Sequence, residues 1–400
     1  MKWAGAAGGA GGAASGRPEA LTVRGILRIA YKLIVNDRAK FAALLVGVTF
    51  AVFLMIMMTS MFAGILGKAS STVTNVGAQV WVMDPGVNTV ASSIPMPDYV
   101  LDAVRSIEGV RYAVPLYSGA ALVKLRTGTY QAVTVIGLDD ASLFGRPRLV
   151  QGQIEDLYGE NAFAVVRDSE FPKLGSPGMG TEFELNDHRA VIKGIAEVAV
   201  SGLFGIPTLY TTYNRAIQYI PSPRYTLSFV LVEPKSAAAV PAIQRAVKNM
   251  GYQALTAEGF KDKIATFYKY QTGLGTNVLL MTVISFVVGL SISGQTFYTF
   301  ILENLEKFGA LKAIGARGGV LVAMILFQAT FTSLTSYGLG IGLASLTIAV
   351  AKLRLPSYAA TVTLGNLATA FVMVVVIAAV SSFIGIRKVI RIEPFEIFRG

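Results

Sequence analysis

The chain has 400 residues, 53% of them hydrophobic and only 15% charged, with a mean hydropathy of +0.56. That is too apolar for an ordinary soluble protein and too charged for one embedded in a membrane throughout, so a mixed architecture follows. The formal charge is +11, there is one histidine, His188, and the lack of cysteine excludes disulfides, thiolate metal sites and cysteine nucleophiles.

Residues 1–16, MKWAGAAGGAGGAASG, are Gly/Ala-rich without a basic segment leading into an apolar core, and read as a disordered tail rather than a cleaved signal. In residues 17–40, Arg24, Arg28 and Lys32 repeat at i, i+4, while Val23, Ile26, Leu27, Ile29, Ala30 and Leu33 cover the other faces. This predicts a cytoplasmic amphipathic helix lying along the inner membrane surface, with a break at Asn36-Asp37-Arg38. The alternative is a plain extension of the first span.

Uncharged runs then occupy residues 41–66, 270–302, 318–351 and 355–386, each longer than the ~20 residues that cross a bilayer as helix. Only Lys352, Leu353 and Arg354 separate the last two, which predicts an antiparallel hairpin. The fold class expected is a membrane α-helical protein with four transmembrane helices and an α+β extracytoplasmic domain, residues 67–269, inserted between helices 1 and 2.

Within 67–269 two segments resemble each other. Strand-like Gln79–Met83 leads through a helix near Pro97 to Arg111–Leu116, and Ser228–Val232 leads through AAAVPAIQRAVKNM to Tyr252–Thr256. A duplicated β-α-β element flanking a β-rich insert is the reading. His188 stands in the turn-like ELNDHRAV with no second His or Cys to complete a metal site. The acid pairs Asp139/Asp140 and Glu155/Asp156 lie in loops without a nucleophile pattern, so no catalytic site is predicted.

Orientation follows from short flanks. Residues 1–40 carry seven basic and two acidic residues, 303–317 three and two, and 387–400 four and two, which places these segments in the cytoplasm. Residues 67–269 hold nineteen basic and eighteen acidic residues, and their length exempts them from the rule. Lys352 and Arg354 oppose this assignment and are outvoted.

No Asp, Glu, Lys, Arg or His lies within the four runs, which disfavours a self-powered ion-coupled transporter. There is no phosphate-binding loop, since Gly67-Lys68-Ala69 lacks both the Ser/Thr and the upstream glycine, so the chain is not expected to hydrolyse ATP on its own. Ser285, Gly289 and Ser293, and likewise Gly338 and Gly342, recur at helix-packing spacing, which fits packing inside one subunit and a dimer seam equally, and Gln295 and Gln328 are candidate buried polar groups. In the loop 303–317, Glu306, Lys307 and Lys312 surround Phe308, Leu311 and Ile314, which recur every third residue, with Gly309 and Gly315 allowing close approach or a helix end. A short amphipathic helix is predicted, either anchoring the second span or docking a cytoplasmic partner.

Glu306 followed by FGALKAIGA (Phe308–Ala316) between two spans resembles the E-x-G-x-L-[RK]-A-[IL]-G-A segment of FtsX/MacB-like ABC transporter permeases. The tail IEPFEIFR, with Pro394, Phe395, Phe398 and Arg399, is similar to their closing D-P-x-x-x-[FL]-R, and VIGLDD (Val135–Asp140) to a segment of the MacB-like periplasmic core. The order of parts also matches; Glu393 and Phe308 depart from the usual residues. The missing fused ATPase resembles separate-subunit members such as the DevC and LolC/LolE groups.

The resemblance implies a non-catalytic permease of the bacterial inner membrane, acting as a dimer with a second copy or homologue. It implies a cytoplasmic ABC ATPase carrying ATP and magnesium, docked on Glu306, Lys307, Phe308, Gly309, Leu311, Lys312, Ile314 and Gly315, and a periplasmic adaptor. Transport would proceed by mechanotransmission, exporting substrate outward. The alternative is an FtsX-like transducer that regulates an external cell-wall hydrolase.

Overall fold

The computed structural model describes residues 23–202, 205–220 and 226–390. In chain order these form α1 (Val23–Asn36), α2 (Arg38–Ala69), α3 (Ser71–Val76), β1 (Val80–Met83), α4 (Tyr99–Arg105), β2 (Val110–Lys124), β3 (Tyr130–Leu138), β4 (Arg148–Gln151), β5 (Ala162–Val166), β6 (Glu182–Leu185), β7 (His188–Glu197) and β8 (Thr208–Thr212). There follow α5 (Tyr213–Tyr219), β9 (Phe229–Pro234), α6 (Val240–Asn249), β10 (Gln253–Thr256), α7 (Ala257–Tyr270), α8 (Leu274–Glu303), α9 (Leu305–Ala313), α10 (Gly318–Arg354) and α11 (Leu364–Ile390). The tail expected at 1–16 and residues 391–400 of the closing tail lie outside the described residues.

Four helices, α2, α8, α10 and α11, are long and apolar enough to cross a membrane. The last starts at Leu364, nine residues after the uncharged run begins. Pro356 disfavours helical backbone at Leu355, whose N–H closes the preceding helix on Ala351 O (2.7 Å). Residues 355–363 instead lie along the end of α2: Lys68 Nζ donates to Ser357 O (2.8 Å) and Thr361 N to Ser60 O (2.9 Å). A Cβ at Gly64 would stand 2.2 Å from Ala359 O, so the close approach requires glycine there. The second span likewise starts later than its uncharged run, because Gly273 takes φ +73 and separates α7 from α8.

The chain divides into two compact units, one holding residues 54–284 and 343–367 and the other the described residues of 23–53, 285–342 and 368–390. The first contains a ten-stranded sheet in the order β10-β1-β9-β2-β3-β8-β5-β7-β4, with β6 paired to β2 and β7 off this path. Both β-α-β segments form, as β1-α4-β2 and β9-α6-β10, and they interleave into one antiparallel block. Alternation divides its residues: Val80, Val82, Val230 and Val232 pack under α4 and α6 with Val104, Ile243 and Val247. Trp81, Met83, Phe229 and Leu231 face the other way, onto Phe260 and Ile264 of α7.

The insert is joined by one strand. β2 pairs with β9 as far as Leu116 and from there with β3, so the fifteen-residue strand belongs to both halves of the sheet. Beyond it, Val133, Val135, Phe163, Val165, Ile192 and Leu209 form a second core, closed by Ala216 of α5.

The second unit is built on large apolar side chains. Ala30 and Ile34 of α1, Leu44 of α2, Phe297, Phe300 and Ile301 of α8, and Leu321, Met324 and Ile325 of α10 make one buried cluster. Buried Gln328 Nε2 donates to Ala30 O (2.8 Å), which fixes α1 onto α10, whereas Gln295 is exposed. Ser285, Gly289 and Ser293 face inward, and a Cβ at Gly289 would stand 2.6 Å from Ala51 Cβ. Gly338 and Gly342 have nothing within 4 Å; the close contact of α10 falls at Gly340, where a Cβ would meet Val52 Cγ1 at 2.5 Å.

Candidate functional site

The loop expected to dock a partner is built from the end of α8. Helical geometry stops at Asn304, whose buried side chain donates Nδ2 to Phe300 O (2.8 Å) and accepts Lys307 Nζ at Oδ1 (2.7 Å). α9 then runs nine residues with Glu306 in its first turn and Lys312 in its last, each favourable to the helix dipole. Gly315, at φ +100, ends it, and Ala316 N returns to Leu311 O (3.0 Å).

The helix points Phe308 into the buried cluster, where it is fully enclosed with Phe297, Phe300, Ile301, Leu321 and Ile325. Gly309 is buried and Leu311 half-buried beside it. Glu306, Lys307, Ala310, Ala313 and Ile314 are exposed, Ile314 to 78%. Phe308 is thus an internal anchor and does not share a face with Ile314. The physical reason is the step of three: each falls about 60° short of a full helical turn, and Ile314 stands about 120° from Phe308. Ile314 lies just past the helix end as well. Lys312 Nζ donates to Ile390 O (3.4 Å) at the end of α11. The tail residues Pro394, Phe395, Phe398 and Arg399 lie outside the described residues.

Beside α9, Lys40 pairs with Asp37 (2.7 Å) and with Glu303, tying the start of α2 to the end of α8. Lys40 holds the half-buried Asp37 carboxyl below its ordinary value, chiefly by side-chain hydrogen bonding, with a smaller contribution from the charge of Lys307. Sequence reasoning missed Asn304 and Lys40. Their signal is weak: an Asn between two helical stretches, and an acid and a base at the facing ends of two apolar runs.

The carboxylate pairs of the sheet domain hold turns. Asp139 Oδ2 accepts Ser142 N (2.9 Å) and Ser142 Oγ (2.7 Å), Asp140 accepts Asn214 N at the start of α5 (3.3 Å), and Asp156 Oδ2 accepts Gln153 N (3.0 Å). His188 is exposed, following Asn186 and Asp187 in the left-handed region, with its ring 5.0 Å from that of Tyr219. Among the described residues no group of three His, Cys, Asp or Glu side chains could hold a metal ion.

Residues 41–250 match the MacB-like periplasmic core domain and residues 279–394 the FtsX-like permease C-terminal region. An uncharacterized ABC transporter permease of Mycobacterium tuberculosis (strain H37Rv) is 25% identical over 348 residues, 86% of this chain and 91% of that protein. A second, from Mycobacterium bovis, is 24% identical over 359 residues, 88% and 93% of the two chains. A Staphylococcus haemolyticus protein named as a hemin transport system permease, HrtB, is 25% identical over 150 residues, 38% of this chain and 41% of that one. Among solved structures, the periplasmic region of MacB from Actinobacillus actinomycetemcomitans covers 50% of this chain and 94% of its own at 12% identity, with a TM-score of 0.35. The chain belongs to the FtsX/MacB-like family of ABC transporter permeases.

Proposed function

We propose that the chain is the membrane subunit of an ATP-driven exporter of the bacterial inner membrane, and that α9 is its contact with a separate cytoplasmic ABC ATPase. The observation that carries this reading is the division of α9 into a buried side and an exposed one. Phe308 locks the helix into the cluster shared by α8 and α10, while Ile314, Glu306 and Lys307 stand clear. A displacement imposed on the exposed side therefore passes directly into two spans, because a packed core does not absorb it. The sheet domain, outside the membrane, is where that motion is used, on an adaptor and on the exported substrate. A second permease copy or homologue completes the assembly, and ATP and magnesium stay with the ATPase. Absence of charge along the spans fits levers better than an ion path.

The test separates anchor from contact. Ile314→Asp is expected to abolish capture of the cognate cytoplasmic ABC ATPase, and its stimulation, while the thermal midpoint of the purified permease is unchanged. Phe308→Ala, which empties a fully buried ring site, is expected to cost about 3–5 kcal/mol of stability. Normal capture and stimulation by Ile314→Asp would sink the docking assignment.

A further inference from the structure

Beside α9 lies a groove of about 640 Å³ formed by α1, the start of α2 and Lys307. It is lined by the cations Lys32, Arg38 and Lys307 and by the apolar side chains of Ile29, Tyr31 and Val35. α1 is held in place by the Gln328 bond to Ala30 O and by the Tyr31 ring, edge-on to Phe331 at 5.3 Å, so the groove is a fixed feature of this unit. The acids nearest to it are already engaged: Asp37 and Glu303 both pair with Lys40. Glu306 is exposed on α9 and does not line the groove. Lys307, steered by Asn304 Oδ1, keeps further N–H groups to donate. Lys32, Arg38 and Lys307 thus line one groove, next to exposed Ile29 and Tyr31, and the Asp37 carboxylate, which feels the charge of Lys307, is already paired with Lys40.

We propose that this groove binds an anionic phospholipid of the bilayer, its headgroup phosphate on Lys32, Arg38 and Lys307 and its acyl chains along Ile29 and Val35. The cations satisfy a phosphate, and the apolar wall beside them suits acyl chains, whereas an acidic protein surface would leave that wall uncovered. The assignment rests on the reading that α2, α8, α10 and α11 span a membrane with α1 and α9 at one face. A lipid held there would wedge α1 against α9 and make the coupling helix sensitive to membrane composition.

The experiment uses the full chain in nanodiscs of mixed phosphatidylglycerol and phosphatidylcholine, with retained lipids counted by native mass spectrometry. Wild type is expected to retain phosphatidylglycerol preferentially. Lys32→Gln, Arg38→Gln and Lys307→Gln should each lower that preference about fivefold, the worth of one cation at an anionic surface. Lys352→Gln/Arg354→Gln, with its cations at the end of α10, should leave it unchanged. An unchanged preference in the triple Gln variant would overturn the proposal. Displacement of the lipid by millimolar inorganic phosphate would do so too, since the site would then be one for the free anion. Loss of ATPase capture with lipid retention intact would reassign the cations to a protein interface. A chain that does not insert into nanodiscs at all would overturn the spanning reading, and with it this site.

Discussion

Asp168 is buried enough for desolvation to raise its carboxyl above the ordinary value of 3.8, even though it accepts the Glu170 N–H (2.9 Å). A carboxyl raised on folding favours the folded state only while it is protonated. Its contribution is full below the unfolded value and is lost as pH rises through the folded one. Asp168→Asn, which keeps the acceptor oxygen, is therefore expected to raise the thermal midpoint of the sheet domain at about pH 7 and to match wild type below about pH 4. Trp81 is a suitable reporter in a Trp3→Phe background, since it is fully buried between Phe229 (5.4 Å) and Phe260 (5.6 Å). Equal midpoints at both pH values would mean that Asp168 is not held against its burial. Next to it, fully buried Glu170 takes Lys173 at 2.8 Å and the Ser169 hydroxyl at 2.8 Å. None of this is readable in the run Arg167–Lys173, because burial of one of its two acids depends on which strands close over it.

Between elements, α2 meets α10 through Ser336, whose carbonyl accepts Thr49 Oγ1 and whose hydroxyl donates to Leu45 O, and through a close approach at one glycine. An added Cβ at Gly340 would meet Val52 Cγ1 at 2.5 Å and Val52 Cβ at 2.7 Å, whereas Gly338 is open. Gly340→Ala is expected to cost about 1–3 kcal/mol through overpacking, and Gly338→Ala to be neutral or stabilising through its better helix propensity. Thermal unfolding in nanodiscs checks this, and matching midpoints would remove Gly340 as a point of contact. The spacing of Gly338 and Gly342 suggested a face, but a span apolar all round does not declare which side meets a neighbour. Spans and loops are legible because lipid demands uncharged length; partners within the bundle are not. The sheet divides in the same way. Alternation in β1 and the helical runs of α4 and α6 are local signals, so the two β-α-β segments can be found in the sequence. The continuity of β2 cannot, since the strand legible at Arg111–Leu116 runs on to Lys124 through a change of partner from β9 to β3, and the pairing of β3 with β8 links residues some seventy positions apart.

For the molecule as a whole, sidedness decides what every other feature can do. The Lys40–Glu303 pair brings the start of α2 to the end of α8, so α1 and α9 share one side whichever way the chain is inserted. The sheet domain is entered from the C-terminal end of α2 and left at the N-terminal end of α8. The orientation proposed above takes the shared side as cytoplasmic, on the basic surplus in residues 1–40, 303–317 and 387–400 and against Lys352 and Arg354. A chain without cysteine lets this be tested one position at a time. Tyr158→Cys lies on an exposed turn of the sheet domain and Ile314→Cys just past α9, with wild-type exposures of 47% and 78%. In intact spheroplasts a membrane-impermeant maleimide is expected to label Tyr158→Cys fully and Ile314→Cys only after permeabilisation. The reverse pattern would put the sheet domain in the cytoplasm and α9 outside, where no ATPase could reach it. Labelling of both positions from outside would leave α9 equally out of reach and contradict a membrane crossing between the two residues.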